Sequence, residues 1–341
     1  MTKQLPIGIQ SNGIKHAHAD SMPSIDTRFA MVREAGVFDY VDKTPDTHEI
    51  AEFEKASEKY GLPVRCGGWF YVFGRDETLL KKNLETAKQL GSLDHNTQIM
   101  AYKEDGQLVS DEEVIEFYEA ALEYGEQLGV RPCLEVHCNM WSEDFRRVEA
   151  VGKLAEARGL TYCLTLDHSH VIFKIDNPEE QEIFDIRGDV ESGKLILDPF
   201  TDGSVCKAWI DAGWVGHCHA RSTVPNNPRN LDAVDDQGRH GRGIQYPFAP
   251  PAPGIYHSPW DPVQLEPWKE VVRQLMTYHA HHDDSALGQI STEFIPNLDY
   301  GEGCRYSLFE QGIACASWMR ETWNGIVSSQ SSDANDANDA K

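Results

Sequence analysis

Gly216-His217-Cys218-His219-Ala220-Arg221 ends a strand-like run on two histidines and an arginine. Three other segments follow the same plan: Leu134-Glu135-Val136-His137, Leu166-Asp167-His168-Ser169-His170 and Ser291-Thr292-Glu293-Phe294. Each places an acid or a histidine where a parallel strand should run out. The chain between them is long enough to hold crossover helices. In a parallel α/β barrel all strand C-terminal ends meet at one mouth, so such residues converge however far apart they lie in sequence.

Working outward, strand-like runs fall at 6–10, 38–42, 64–72, 97–102, 133–137, 162–167, 215–219 and 289–294. Eight is the number that closes a barrel. Amphipathic helical stretches alternate with them at 24–35, 48–60, 77–90, from 110 onward, 143–158, 266–281 and 307–323. Gly36, Gly61 and Gly91 stand where these helices should stop, and Ser110 with Glu113 forms a capping box. The fold expected is a (β/α)8 TIM barrel over 1–327. Two stretches break the rhythm: an acidic, irregular one at 171–200, and a loop rich in Gly, Pro, Arg and His at 225–262. The latter leaves the mouth side of the seventh strand and reads as a lid or a subunit contact. The acidic tail at 328–341 reads as disordered.

A formal net charge of −24, from 31 Lys and Arg against 55 Asp and Glu, repels nucleic acid and anionic membrane. It suits a soluble protein with a small-molecule substrate. The eight cysteines are scattered and form no Cys-x-x-Cys pair, which points to a reducing compartment. With no signal-like apolar start and no membrane-length apolar run, a cytoplasmic location is expected.

Two glutamates, one aspartate and one or two histidines at one mouth would repel at low dielectric unless a cation neutralised them. So oxygen-rich a set favours Mn2+ first, with Mg2+, Co2+ or Zn2+ as alternatives. His217 and His219 share strand parity, and His219, nearer the mouth, is the better ligand. His170 reads as a substrate contact, and His137 as either a catalytic acid or a support for Glu135; His240 is a further acid candidate. Trp69, Phe70 and Tyr71 after the third strand, and Trp141 after the fifth, offer rings on which a sugar could stack; ordinary packing is the competing reading. Arg229, Arg239 and Arg242 either bind a carboxylate or phosphate or simply offset the acidic surface.

Leu166-Asp167-x-x-His170, Gly216-His217-x-His219 and Ser291-Thr292-Glu293, with Glu135 on the preceding strand, resemble the xylose-isomerase-like TIM-barrel superfamily. That group includes sugar epimerases and isomerases, inosose dehydratases and endonuclease IV (AP endonuclease family 2). The resemblance implies that Glu135, Asp167, His219 and Glu293 bind metal, that His170 contacts substrate, and that Glu135 and Glu293 exchange a proton with it. The epimerases carry an arginine a little beyond the metal histidine; here Arg221 comes early and Arg229 late. The extra histidines and aspartate of a three-zinc nuclease have no counterparts after His219, and the acidic charge also opposes phosphate binding.

The function expected is therefore a metal-dependent isomerase or epimerase acting on a sugar or keto acid by proton abstraction next to a carbonyl. A lyase or dehydratase is the runner-up; one version is a C-glycoside deglycosidase large subunit, which works with a small partner chain. A non-catalytic sugar-binding barrel is the contrasting class, and a homo-oligomer is expected for any of them.

Overall fold

The computed structural model describes residues 3–16, 21–226 and 228–339, with backbone alone over 330–339. Eight parallel strands close into a barrel: β1 (Ile7–Gln10), β2 (Tyr40–Asp42), β3 (Val64–Tyr71), β4 (Asp94–Ile99), β5 (Arg131–Val136), β6 (Leu164–Leu166), β7 (Val215–Ala220) and, after a two-stranded excursion, β10 (Gln289–Thr292). β1 pairs with both β2 and β10, which completes the ring. Helices α1 (Ile25–Ala35), α2 (Ile50–Tyr60), α3 (Glu77–Leu90), α4 (Asp111–Leu128) and α5 (Phe145–Ala157) follow the first five strands. Each buries one stripe on the barrel wall; in α4 the stripe is Val114, Phe117, Tyr118 and Ala121. The capping box at Ser110 and Glu113 forms as the sequence predicts, and Gly36 ends α1 at φ +65°.

The apolar core lies between strands and helices; the barrel interior is polar. β4 shows why that matters for reading the sequence. It begins at Asp94, not at Thr97, and ends at Ile99. Asp94, Asn96 and Gln98 share one face and meet polar partners inside the barrel. A strand whose inward face is polar looks like a loop when apolar residues are the guide.

The stretch at 171–200 holds three short helices, α6 (Ser169–Ile172), α7 (Pro178–Gln181) and α8 (Arg187–Glu191), before α9 (Val205–Asp211) leads into β7. The segment at 225–262 is not structureless: β8 (Asn230–Val234) and β9 (His240–Gly241) pair antiparallel within it. Arg242, just past β9, pins this excursion to the barrel through Glu143 at 2.5 Å and through Glu180, beside the buried Lys174 that also bonds Glu143 at 2.9 Å. Helix α10 (Glu266–His281) precedes β10, and α11 (Leu308–Asp339) closes the fold and continues through Asp339. The last two residues of the expected tail lie outside the described residues. All eight cysteines are buried and none forms a disulfide. No helix among the described residues is long and apolar enough to cross a membrane.

Candidate active site

At the C-terminal mouth of the barrel, four residues bring ligand atoms within 4.8 Å of one another: Glu135, Asp167, His219 and Glu293. Glu135 sits on β5 and His219 on β7, while Asp167 and Glu293 follow the last residues of β6 and β10. Strand pairing sets Ser291 of β10 beside His219, so Glu293, two residues on, reaches the mouth on the same side.

His219 is the hub. Its Nδ1 lies 2.7 Å from Glu135 Oε1 and 3.3 Å from Glu293 Oε2, and its Nε2 lies 3.2 Å from Asp42 Oδ2. Asp42, at the end of β2, also accepts from the Ser291 hydroxyl at 2.7 Å. A carboxylate on Nε2 fixes the ring so that Nδ1 faces the centre of the cluster. The sequence reading passed over Asp42, because a single acid ending a short strand is an ordinary loop-entry residue. The other oxygen of Glu135 accepts from Asn96 Nδ2 at 2.7 Å and from Gln98. Gly68 makes room for that amide: a Cβ there would stand 2.7 Å from Asn96 Cβ.

Arg221 enters the cluster from the end of β7. Its Nη1 donates to Asp167 Oδ2 at 2.7 Å, its Nη2 donates to Glu293 Oε2, and its guanidinium lies 4.2 Å from the centre of the Tyr300 ring. His170, on the short helix α6, packs wholly buried against the same group, with Nε2 3.2 Å from Asp167 Oδ2. It does not line the cavity. His137 does, and its Nε2 lies 3.1 Å from the Tyr300 hydroxyl.

The electrostatics are uneven. Burial works against every carboxylate here. At Asp167 it is overcome by Arg221 and His170, which hold the carboxyl well below its usual range; at Glu135 it is overcome by His219, which holds it down to about 2. At Glu293 burial wins against His219 and Arg221 and lifts the carboxyl to about 8. His219 is buried too, but Glu293 and Glu135 keep its proton affinity well above normal.

These residues fit a hard divalent ion. Three carboxylates and one imidazole bring ligand atoms to one point, and the set is oxygen-rich. Arg221 engages one oxygen each of Asp167 and Glu293, two of the four residues that would hold the ion.

The cluster opens into a cavity of about 500 Å3, which both His219 and Glu293 line. Trp69 and Phe70 also line it, stacked on each other with centroids 5.3 Å apart. Trp141 is elsewhere: it is fully buried in the turn after β5 and offers no face to the cavity. Arg229 is exposed and bonded to Glu179; Arg239 binds Asp235 and Asp299; Arg242 is taken by Glu143 and Glu180. The loop arginines thus face protein carboxylates. His240 Nδ1 donates to the Ala233 carbonyl, 3.3 Å away, and is absent from the cavity lining.

No protein-family model matches the chain, and no curated protein matches it in sequence. Solved structures do match in shape. A D-allulose 3-epimerase from Methylomonas sp. superposes with a TM-score of 0.53 at 14% identity, over 94% of this chain and 100% of that one. An L-ribulose 3-epimerase gives 0.51 at 14%, covering 97% of each chain. A xylose isomerase-like TIM barrel protein from Mycobacterium smegmatis, in complex with magnesium, gives 0.51 at 13%, over 95% of this chain and 97% of that one. With its closed eight-stranded barrel spanned end to end by these matches, the chain has the fold of the xylose isomerase-like TIM barrels.

Proposed function

We propose that this protein is a divalent-metal-dependent enzyme that abstracts a proton next to the carbonyl of a sugar or keto acid, as an isomerase or epimerase. The observation that carries this reading is the convergence of Glu135, Asp167, His219 and Glu293 within 4.8 Å beside an open cavity. The fold shared with a D-allulose 3-epimerase, an L-ribulose 3-epimerase and a magnesium-bound barrel supports it.

These four residues would hold the ion, which when bound supplies Lewis-acid polarisation of the substrate carbonyl. Glu293 is the residue placed to take the proton. It lines the cavity, with Oε2 3.3 Å from His219 Nδ1. Glu135, by contrast, has both oxygens bonded within the protein and does not line the cavity. Asn96 Oδ1 is buried and has no partner among the described residues, so it can accept from a substrate hydroxyl. Trp69 offers a ring face for the sugar carbons.

One observation favours the lyase reading as the alternative. His137 also lines the cavity, with Nε2 3.1 Å from the Tyr300 hydroxyl. An acid in that position can return a proton to carbon, which gives epimerisation, or protonate a departing hydroxyl, which gives dehydration.

The test is metal content by elemental mass spectrometry, followed by deuterium uptake from solvent into a panel of ketoses and keto acids. About one divalent ion per chain and uptake that disappears in Glu293→Gln, with metal retained, are expected. Full uptake in Glu293→Gln would remove the base assignment; no metal after incubation with excess ions would remove the mechanism.

A further inference from the structure

We infer that Lys43 reads a carboxylate on the substrate, so that the site takes a polyhydroxy acid in preference to a neutral sugar. This rests on the cavity being the substrate site, as proposed above, but not on the reaction that follows. Lys43 comes directly after Asp42 at the end of β2, and its backbone is held by a hydrogen bond from its N–H to the Cys66 carbonyl, 2.9 Å long. The side chain is half-buried and lines the same cavity as His219 and Glu293.

What sets this lysine apart is its lack of an acidic partner. Its Nζ donates to Asn12 Oδ1 at 3.2 Å, and no carboxylate among the described residues lies within 4.0 Å of it. The neighbouring acid, Asp42, is already engaged by His219 and Ser291. The other cation on the cavity, Arg221, is occupied by Asp167 and Glu293. Glu49, Asp46 and Asp42 act on it through space, but none of them comes within ion-pair distance. Asp42, Glu293 and Asp299 also line the cavity, so an anion entering it needs one resident cation free to receive it.

The rest of the lining says what else the ligand carries. Asn12, Asn96, Gln98 and Asn139 present neutral amides, suited to hydroxyl groups, and Asn96 Oδ1 is unpartnered. One ammonium group suits a monoanion. A phosphate dianion is usually met by several cationic or backbone N–H donors together, and here Arg221 is already paired, which leaves Lys43. The chemistry indicated is therefore a carboxylate on a hydroxylated chain.

The experiment is calorimetric binding to metal-loaded and metal-stripped protein, with metal content measured on each sample. The probes are aldonates of four to six carbons, their matched alditols, and sorbitol 6-phosphate. Wild type should bind at least one aldonate tenfold or more tightly than its alditol, in both metal states. Lys43→Met should bring that ratio to within about twofold of unity, and Lys43→Arg should keep the preference, which guards against a merely unfolded variant. Equal binding of acid and alditol, or no binding by any probe, overturns the inference. So does a preference that survives Lys43→Met, which would place the carboxylate on Arg221 or the metal, and so does tighter binding of the sugar phosphate. Because the preference is sought without metal as well, failure of the metal-dependent mechanism would leave this result readable.

Discussion

Two buried charge clusters lie one above the other inside the barrel, and they are resolved differently. At the floor, Arg131 Nε donates to Asp94 Oδ1 at 2.7 Å while its other nitrogens reach the Ala286 and Gly216 carbonyls; Gln289 donates to Asp94 Oδ2 at 3.0 Å and accepts from Arg65 Nε at 2.8 Å. One carboxylate thus faces two guanidinium groups, directly or through an amide. At the mouth, Asp42, Glu135, Asp167 and Glu293 face one arginine and one histidine. Burial pushes both carboxyls upward, Asp94 against the pull of Arg131 and Glu293 to about 8 against His219 and Arg221. The floor is closed by the chain's own groups. The mouth carries four carboxylates against Arg221 and His219, with the Lys43 ammonium paired to none of them, and that surplus is the physical basis for the ion proposed there.

The comparison can be broken by removing one cation from each cluster. Arg221 is fully buried, so Arg221→Met should destabilise the metal-free protein by about 3–5 kcal/mol, because Asp167 loses its partner in a dry site. Arg131→Met should cost less, about 2–3 kcal/mol, since its side chain is one-third exposed and partly screened. Chemical denaturation with and without saturating Mn2+ separates the two. The ion should rescue Arg221→Met and leave Arg131→Met where it was. Rescue of both variants, or of neither, would mean that the two clusters do not differ as described.

The strand that serves both clusters offers a second test from its outer face. β4 turns Asp94 and Asn96 inward and His95 outward, where Nε2 lies 2.7 Å from the Tyr71 hydroxyl. Burial depresses His95 from 6.5 to about 4. A histidine depressed on folding stabilises the protein fully above its unfolded value of 6.5, and that contribution is lost as pH falls from there through about 4. The loss amounts to about 3 kcal/mol once both states are protonated. Denaturant titrations at pH 7 and pH 4 should show a smaller drop in His95→Gln than in wild type. An identical drop would mean that His95 does not contribute, and that acid sensitivity comes from the interior clusters.

The sequence made the mouth legible and left the support hidden. Glu135, Asp167, His219 and Glu293 stand out because each ends a strand-like run, and strand ends in a parallel barrel have one destination. Asn96 and Gln98 could not be found that way, because the inward face of β4 is polar and the strand seemed to start at Thr97. Arg221 was visible, but its pairing with two of the presumed ligands depends on a side-chain direction that sequence does not give. Trp141 looked available for stacking only because the tight turn after β5, which folds it inward, has no periodic signal. Lys43 escaped notice because a lone lysine is informative only when its neighbours are known to be engaged elsewhere. The loop arginines drew attention instead, and the fold pairs them with acids.

The finest distinction between floor and mouth is one of orientation. At the floor Gln289 settles the second oxygen of Asp94 with a neutral amide, and nothing there needs a free lone pair. At the mouth Asp42 has a task an amide cannot do as well, because only an acceptor at His219 Nε2 commits the ring to present Nδ1 to Glu135 and Glu293. Asp42→Asn keeps the shape but can offer either a donor or an acceptor, so the ring loses that commitment. Metal affinity should fall by about tenfold or more, roughly 1.4 kcal/mol, with the fold intact. Calorimetric titration with Mn2+ measures the affinity, and nitrogen-15 shifts of His219 in the protein loaded with diamagnetic Mg2+ report the tautomer. Asparagine that binds metal as tightly as wild type, with the tautomer unchanged, would show that Glu135 and Glu293 alone orient the ring, and that Asp42 belongs with the floor as a group held only for structure.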